Sequence, residues 1–150
     1  MSRVSRLAAT ISGVRTGAIH HVELWVEDLP EATASWGWLL GRLGYSAYDT
    51  WADGASWRLG DAYVVVEAGP DRRPGVHDRQ LPGLNHLAFW GGTRAEVDAL
   101  CREAPNHGWR LLFTDRYPYA GGPDHYACYL ENDGGFEVEI VAEPVEGGPG

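Results

Sequence analysis

The chain has 150 residues, 44% of them hydrophobic and 22% charged, a balance that suits one folded domain with its own core and excludes a disordered or fibrous chain. A formal net charge of −9 repels phosphate backbones and excludes nucleic acid as a partner, and no apolar run suggests a membrane span. Cys101 and Cys128, the only cysteines, are too few for a disulfide framework and form no CxxC pair, so both read as reduced packing residues of a cytoplasmic protein.

Residues 1–17 carry Arg3, Arg6 and Arg15 among Ser, Gly and Ala, with no signal-peptide core, and read as a flexible arm. Ala18 to Val26, AIHHVELWV, is an apolar and β-branched run of strand type that stops at Glu27 to Pro30. From Pro30 the residues Ala32, Trp36, Leu39, Leu40 and Leu43 recur at helical spacing until Gly44, which predicts an amphipathic helix. Three short strands follow, Tyr45 to Thr50, Ser56 to Leu59 and Ala62 to Ala68, divided by the turn signals Asp53-Gly54 and Gly60-Asp61.

A Pro, Gly and Arg-rich stretch, 69–83, reads as a surface linker, and then the pattern restarts. Leu84 to Trp90 is of strand type, Thr93 is a suitable N-cap for a helix through Val97, Leu100 and Cys101, and Pro105 to Gly108 close it. Gly108 to Thr114, His125 to Glu131 and Phe136 to Ala142 supply three more strands. The expected domain therefore spans 18–144, as two βαβββ modules over 18–68 and 84–142, with 145–150 as a tail. HVELWV from His21 and HLAFWG from His86 show the repeat residue by residue.

Strand alternation puts His21, Glu23 and Trp25 on one face and His86, Ala88 and Trp90 on the equivalent one. Near the end of each half stands a carboxylate, Glu67 in YVVVEA and Glu139 in FEVEIVA. If the two halves fold alike and their sheets face one another, His21, Glu67, His86 and Glu139 converge on one divalent ion. Such a mixed nitrogen and oxygen set suits nickel, zinc, cobalt, manganese or ferrous iron. The alternative is that the histidines are satisfied polar residues and the glutamates merely end strands. Trp25 and Trp90 share the ligand faces and either line the cavity or fill the core. His77 and His107, in Gly- or Pro-rich loops, read as surface residues.

At HVELWVEDL, GLNHLAFW and NDGGFEVEIVA the chain resembles the vicinal oxygen chelate superfamily, which includes glyoxalase I, extradiol dioxygenases, fosfomycin-resistance proteins and bleomycin-binding proteins. The resemblance implies an α+β fold, two βαβββ modules paired into a half-open barrel, one divalent metal ion and a homodimer. His21, Glu67, His86 and Glu139 match the glyoxalase I ligands in order, and by that resemblance Glu67 and Glu139 are the candidate catalytic carboxylates that move a proton beside an oxygen held by the metal. The implied function is a glyoxalase-like lyase or isomerase on a small oxygen-chelating substrate. Two alternatives stay open. A ferrous ring-cleaving dioxygenase uses two His and one Glu, matched by His21, His86 and Glu139, with His125 and Tyr129 as substrate-binding candidates. The other is a binding protein for a cationic antibiotic, which the −9 charge and the many aromatics suit.

Overall fold

The computed structural model describes residues 14–146; the predictions for 1–13 of the arm and for 147–150 of the tail lie outside them. The first half runs β1 (His21–Trp25), α1 (Leu29–Arg42), β2 (Ser46–Trp51), β3 (Gly54–Leu59) and β4 (Ala62–Glu67). The second runs β5 (His86–Trp90), α2 (Arg94–Glu103), a 3-10 turn over Ala104–His107, β6 (Trp109–Leu112), a second such turn over Thr114–Arg116, β7 (Ala127–Asn132) and β8 (Glu137–Val141). Each half forms a four-stranded sheet of the same topology, ordered β1-β4-β3-β2 and β5-β8-β7-β6. In both, the first strand pairs in parallel with the last and the others are antiparallel.

Local chemistry accounts for the helices. Asp28 caps α1 by accepting from the Glu31 amide, with Pro30 inside the first turn where a missing N–H costs nothing. Thr93 and Glu96 make a capping box at the start of α2, each side chain accepting from the other residue's backbone N–H.

Both sheets turn their apolar faces into one shared core. Leu24, Val64 and Val66 from the first sheet and Leu130, Val138 and Ile140 from the second belong to a single buried cluster with Trp36, Leu39 and Leu40 of α1 and Val97 and Leu100 of α2. The seam between the halves is aromatic. Trp36 meets Trp109 edge to face at 5.2 Å and packs against Phe136 at 6.0 Å. The Trp109 indole N–H donates to the Ser35 carbonyl at 2.8 Å, and the Asn132 amide donates to the Ser35 hydroxyl at 3.2 Å.

This seam has a consequence for the site. The halves are joined through α1 and the apolar faces, so the polar faces are not enclosed between them, and the sheets do not close into a barrel. The sheets, their topology and their open arrangement are as expected. The linker is also better anchored than a surface crossing implies. His77 is half-buried, stacks on Phe136 at 4.5 Å, and its amide donates to the Gly134 carbonyl at 3.0 Å.

Candidate metal centre

The polar face of the second sheet gathers His86, His125 and Tyr129 around Glu139. That residue is only 7% exposed, although it lies on β8 with Tyr129 as its register partner on β7 and Ala88 as its partner on β5. The Tyr129 hydroxyl donates to Oε1 at 3.0 Å, His125 Nε2 meets the same oxygen, and His86 Nε2 lies 3.1 Å from Oε2. Burial alone raises the Glu139 pKa, but the hydrogen bonds from His125 and Tyr129, with the charges of His125 and His86, outweigh it and hold the carboxyl below the ordinary range. Burial, and then the neighbouring Glu139, push the Tyr129 phenol up to about 12, so it stays a donor.

The second nitrogen of His86 is also occupied: Nδ1 lies 2.7 Å from the Asn85 side-chain oxygen. A neutral imidazole has one N–H. If that proton lies on Nδ1 and is given to Asn85, the Nε2 lone pair faces the Glu139 carboxylate, an arrangement that a second proton or a cation beside both groups relieves. A ring N–H held by an oxygen, with the other nitrogen left to bind, is the usual setting of a metal-bound histidine. The donor set of this sheet, one imidazole and one carboxylate, therefore fits a divalent ion in kind.

On the first sheet His21 stacks flat on Tyr63 at 4.8 Å, and its Nδ1 lies 2.8 Å from Nδ1 of His20. The two halves thus repeat a feature that strand alternation hides. The residue just before each strand, His20 or Asn85, holds Nδ1 of the histidine that opens it. An open cavity of about 420 Å³ above this face is lined by His21, Glu23, Tyr48 and Tyr63, among others.

Register separates Glu67 from His21. His21 pairs with Tyr63 and Trp25 pairs with Glu67, so Glu67 stands four positions further along the strands. At about 3.3 Å per residue that is about 13 Å, more than two side chains rising from the same face span when they share an ion. The place that Glu139 holds opposite Ala88 is taken in the first half by Val65, opposite Glu23. Glu67 neighbours Glu23, whose carboxylate accepts from the Trp25 indole at 3.2 Å. Desolvation first, and then Glu23, Asp53 and Asp71, raise the Glu67 pKa above the ordinary value.

The structure therefore brings together His86, His125, Tyr129 and Glu139, and leaves His21 and Glu67 apart from them and from one another. Among the described residues no three His, Cys, Asp or Glu side chains are placed to hold a metal within one chain. Trp90 is 64% exposed and borders a cavity of about 300 Å³ with His125 and Ala88, whereas Trp25, 50% exposed, borders another of about 470 Å³ with Glu23 and His77. Neither tryptophan fills the core. Asn85 was not anticipated, because alternation from His86 assigns it to the opposite face although it lies just outside the strand.

Known proteins place this geometry in a family. The model of the Glyoxalase/Bleomycin resistance protein/Dioxygenase superfamily matches residues 20–129. The uncharacterized protein YqjT of Bacillus subtilis (strain 168) is 40% identical over 126 residues, 83% of this chain and 98% of that protein. A crystal structure of a candidate glyoxalase from Bacillus halodurans is 44% identical with a TM-score of 0.80, covering 85% of this chain and 96% of that one. A lactoylglutathione lyase from Agrobacterium tumefaciens, 18% identical with a TM-score of 0.59 over 89% of this chain and 98% of its own, shares the fold. No helix among the described residues is long and apolar enough to cross a membrane. The chain belongs to the Glyoxalase/Bleomycin resistance protein/Dioxygenase superfamily.

Proposed function

We propose that this chain is a metal-dependent enzyme acting on a small substrate that chelates through oxygen, with glyoxalase-like lyase or isomerase chemistry. The observation that supports it most is the buried Glu139 carboxylate aimed at His86 Nε2 while Asn85 occupies Nδ1. His86 and Glu139 would hold a divalent ion, which supplies Lewis acidity toward a substrate oxygen. Tyr129 and His125 keep the Glu139 carboxylate ionised and oriented. Glu67, whose pKa is raised, is suited to accept a proton from substrate carbon rather than to act as a fourth ligand.

The remaining ligand is His21 of a second copy. The polar faces carry exposed Trp25, Tyr48, Trp51 and Trp90, apolar surface that a partner would cover. A two-fold homodimer that sets the first sheet of one chain over the second sheet of the other completes two equivalent sites. Such a protein works in the cytoplasm with both thiols reduced at rest.

A second reading, ring cleavage at ferrous iron, is favoured by two specific observations. Val65 stands where a fourth ligand would, leaving two His and one Glu, and His125 and Tyr129 both reach Glu139. Elemental analysis of untagged protein purified without chelator, together with sedimentation, tests both readings. Near-stoichiometric metal that disappears in His86→Ala, in a dimer, supports the centre. Iron with oxygen consumption selects ring cleavage, and nickel, zinc, cobalt or manganese selects the lyase. Retention of metal in Glu67→Gln confirms its place outside the ligand set. Protein that takes up no metal after reconstitution refutes both readings and leaves an antibiotic-binding protein.

A further inference from the structure

We propose that Cys101 and Cys128 are a peroxide-sensitive dithiol pair that closes into a reversible intrachain disulfide, stapling α2 to β7. The two residues are 27 positions apart in sequence, one on the buried face of α2 and the other on the strand beneath it, and the Cys128 thiol donates to the Cys101 sulfur at 2.7 Å. The sulfurs stand only about 0.7 Å beyond the bond length of about 2.04 Å.

Access and polarity are also built in. A cavity of about 460 Å³ opens between α2, β6, β7 and the turn that follows β6, and its walls include both cysteines with Asp98, Arg102, Leu112 and Tyr117. It leads a small oxidant to the sulfurs, and its wall also includes Tyr129, whose hydroxyl reaches Glu139. Cys101 is the more open of the two, 8% exposed against 1% for Cys128. That difference in exposure distinguishes the roles, and the hydrogen bond between them points the same way. Donation from Cys128 lowers the Cys101 pKa, whereas that same hydrogen bond, and then burial, raise the Cys128 pKa.

The chemistry follows this asymmetry. The Cys101 thiolate attacks one oxygen of a hydroperoxide such as hydrogen peroxide, the O–O bond breaks, and the departing hydroxide takes a proton and leaves as water. Cys101 is then a sulfenic acid. The Cys128 sulfur attacks it, the S–S bond forms, and the sulfenic hydroxyl departs with the Cys128 proton as a second water. Two thiols lose two hydrogens and two electrons, and the peroxide is reduced to two waters. A cellular dithiol reductant reverses the step.

The full chain is treated with hydrogen peroxide at equimolar and tenfold ratios, then unfolded for thiol counting and intact mass. The expected result is loss of both thiols together, a peptide pair joining Cys101 to Cys128, a raised thermal midpoint, and complete recovery with dithiothreitol. In Cys128→Ser the reaction stops at a Cys101 sulfenic acid that dimedone traps, and in Cys101→Ser the remaining thiol survives the same treatment. Survival of both thiols in the folded wild-type chain overturns the proposal. So does a bridge between two chains, or equal reactivity of the two variants. The wild-type measurement decides even if a variant fails to fold.

Discussion

Replacing Tyr129 by Phe removes one hydroxyl from the Glu139 cluster and leaves the ring in place against Phe113. A hydrogen bond to a charged acceptor contributes about 1.5–3 kcal/mol, so the variant loses about 2 kcal/mol at pH 7, or about 5 °C in midpoint for a chain of this size. The loss depends on pH in a defined direction. The carboxyl of Glu139 lies below the ordinary range in the folded chain, so the stability it contributes is present above the unfolded carboxylate pKa and disappears as pH falls through the folded value. Without the hydroxyl the folded pKa moves back toward the ordinary value. The gap between wild type and Tyr129→Phe therefore narrows in acid, where the phenol donates only to a neutral carboxyl, a bond of about 1 kcal/mol. Urea unfolding followed by tryptophan fluorescence at pH 7 and in steps down to below the ordinary carboxylate range, with chelator present, measures it. A gap that stays constant between these pH values refutes the reasoning, because the hydroxyl would then serve packing alone.

Two further predictions concern the scaffold. Trp36 and Trp109 meet in the same seam and are both fully buried, but the Trp109 indole N–H has an acceptor in Ser35, whereas that of Trp36 has none among the described residues. Trp109→Phe should therefore be more destabilising than Trp36→Phe by about 1–3 kcal/mol in urea unfolding, and an equal or reversed order contradicts the seam described. Gly135→Ala places a Cβ 2.0 Å from the His77 carbonyl oxygen at φ +82°, whereas Gly60→Ala at φ +58° meets open space. Both incur the left-handed penalty of about 1–2 kcal/mol, so any excess loss in Gly135→Ala, read from thermal midpoints, measures how firmly the linker is pinned.

Much of this architecture was legible because its signals are local. The alternation of HVELW and HLAFW assigns faces, and the exposed, half-buried and buried positions of β1 and β5 follow it. Thr93, the expected N-cap, does begin α2. What was not legible depends on neighbours in space. Alternation tells which face Glu67 shares but not which residue stands beside it, and a carboxylate two positions too far along its strand looks the same in sequence as one in register. Nor does composition show that Trp36 reaches Trp109, the contact that joins the halves through their apolar sides. Cys101 and Cys128 looked like unrelated packing residues because only the packing of α2 on β7 brings their sulfurs together.

The register difference bears on the chemistry as well as on the ligand count. With Val65 where Glu139 has its counterpart, a centre built from His21, His86 and Glu139 contains two neutral imidazoles and one carboxylate, so a divalent ion there keeps one net positive charge. A set that included Glu67 would be neutral. The first arrangement favours a substrate that binds as an anion through adjacent oxygens, such as an enediolate or a catecholate, and leaves coordination positions for both. It would also leave the Glu67 carboxylate a separate task. Beside Glu23 and with its pKa raised, it would be better suited to exchanging protons with such a substrate than to holding a metal. On the proposed function, asymmetry between two copies of one module would separate binding from proton transfer.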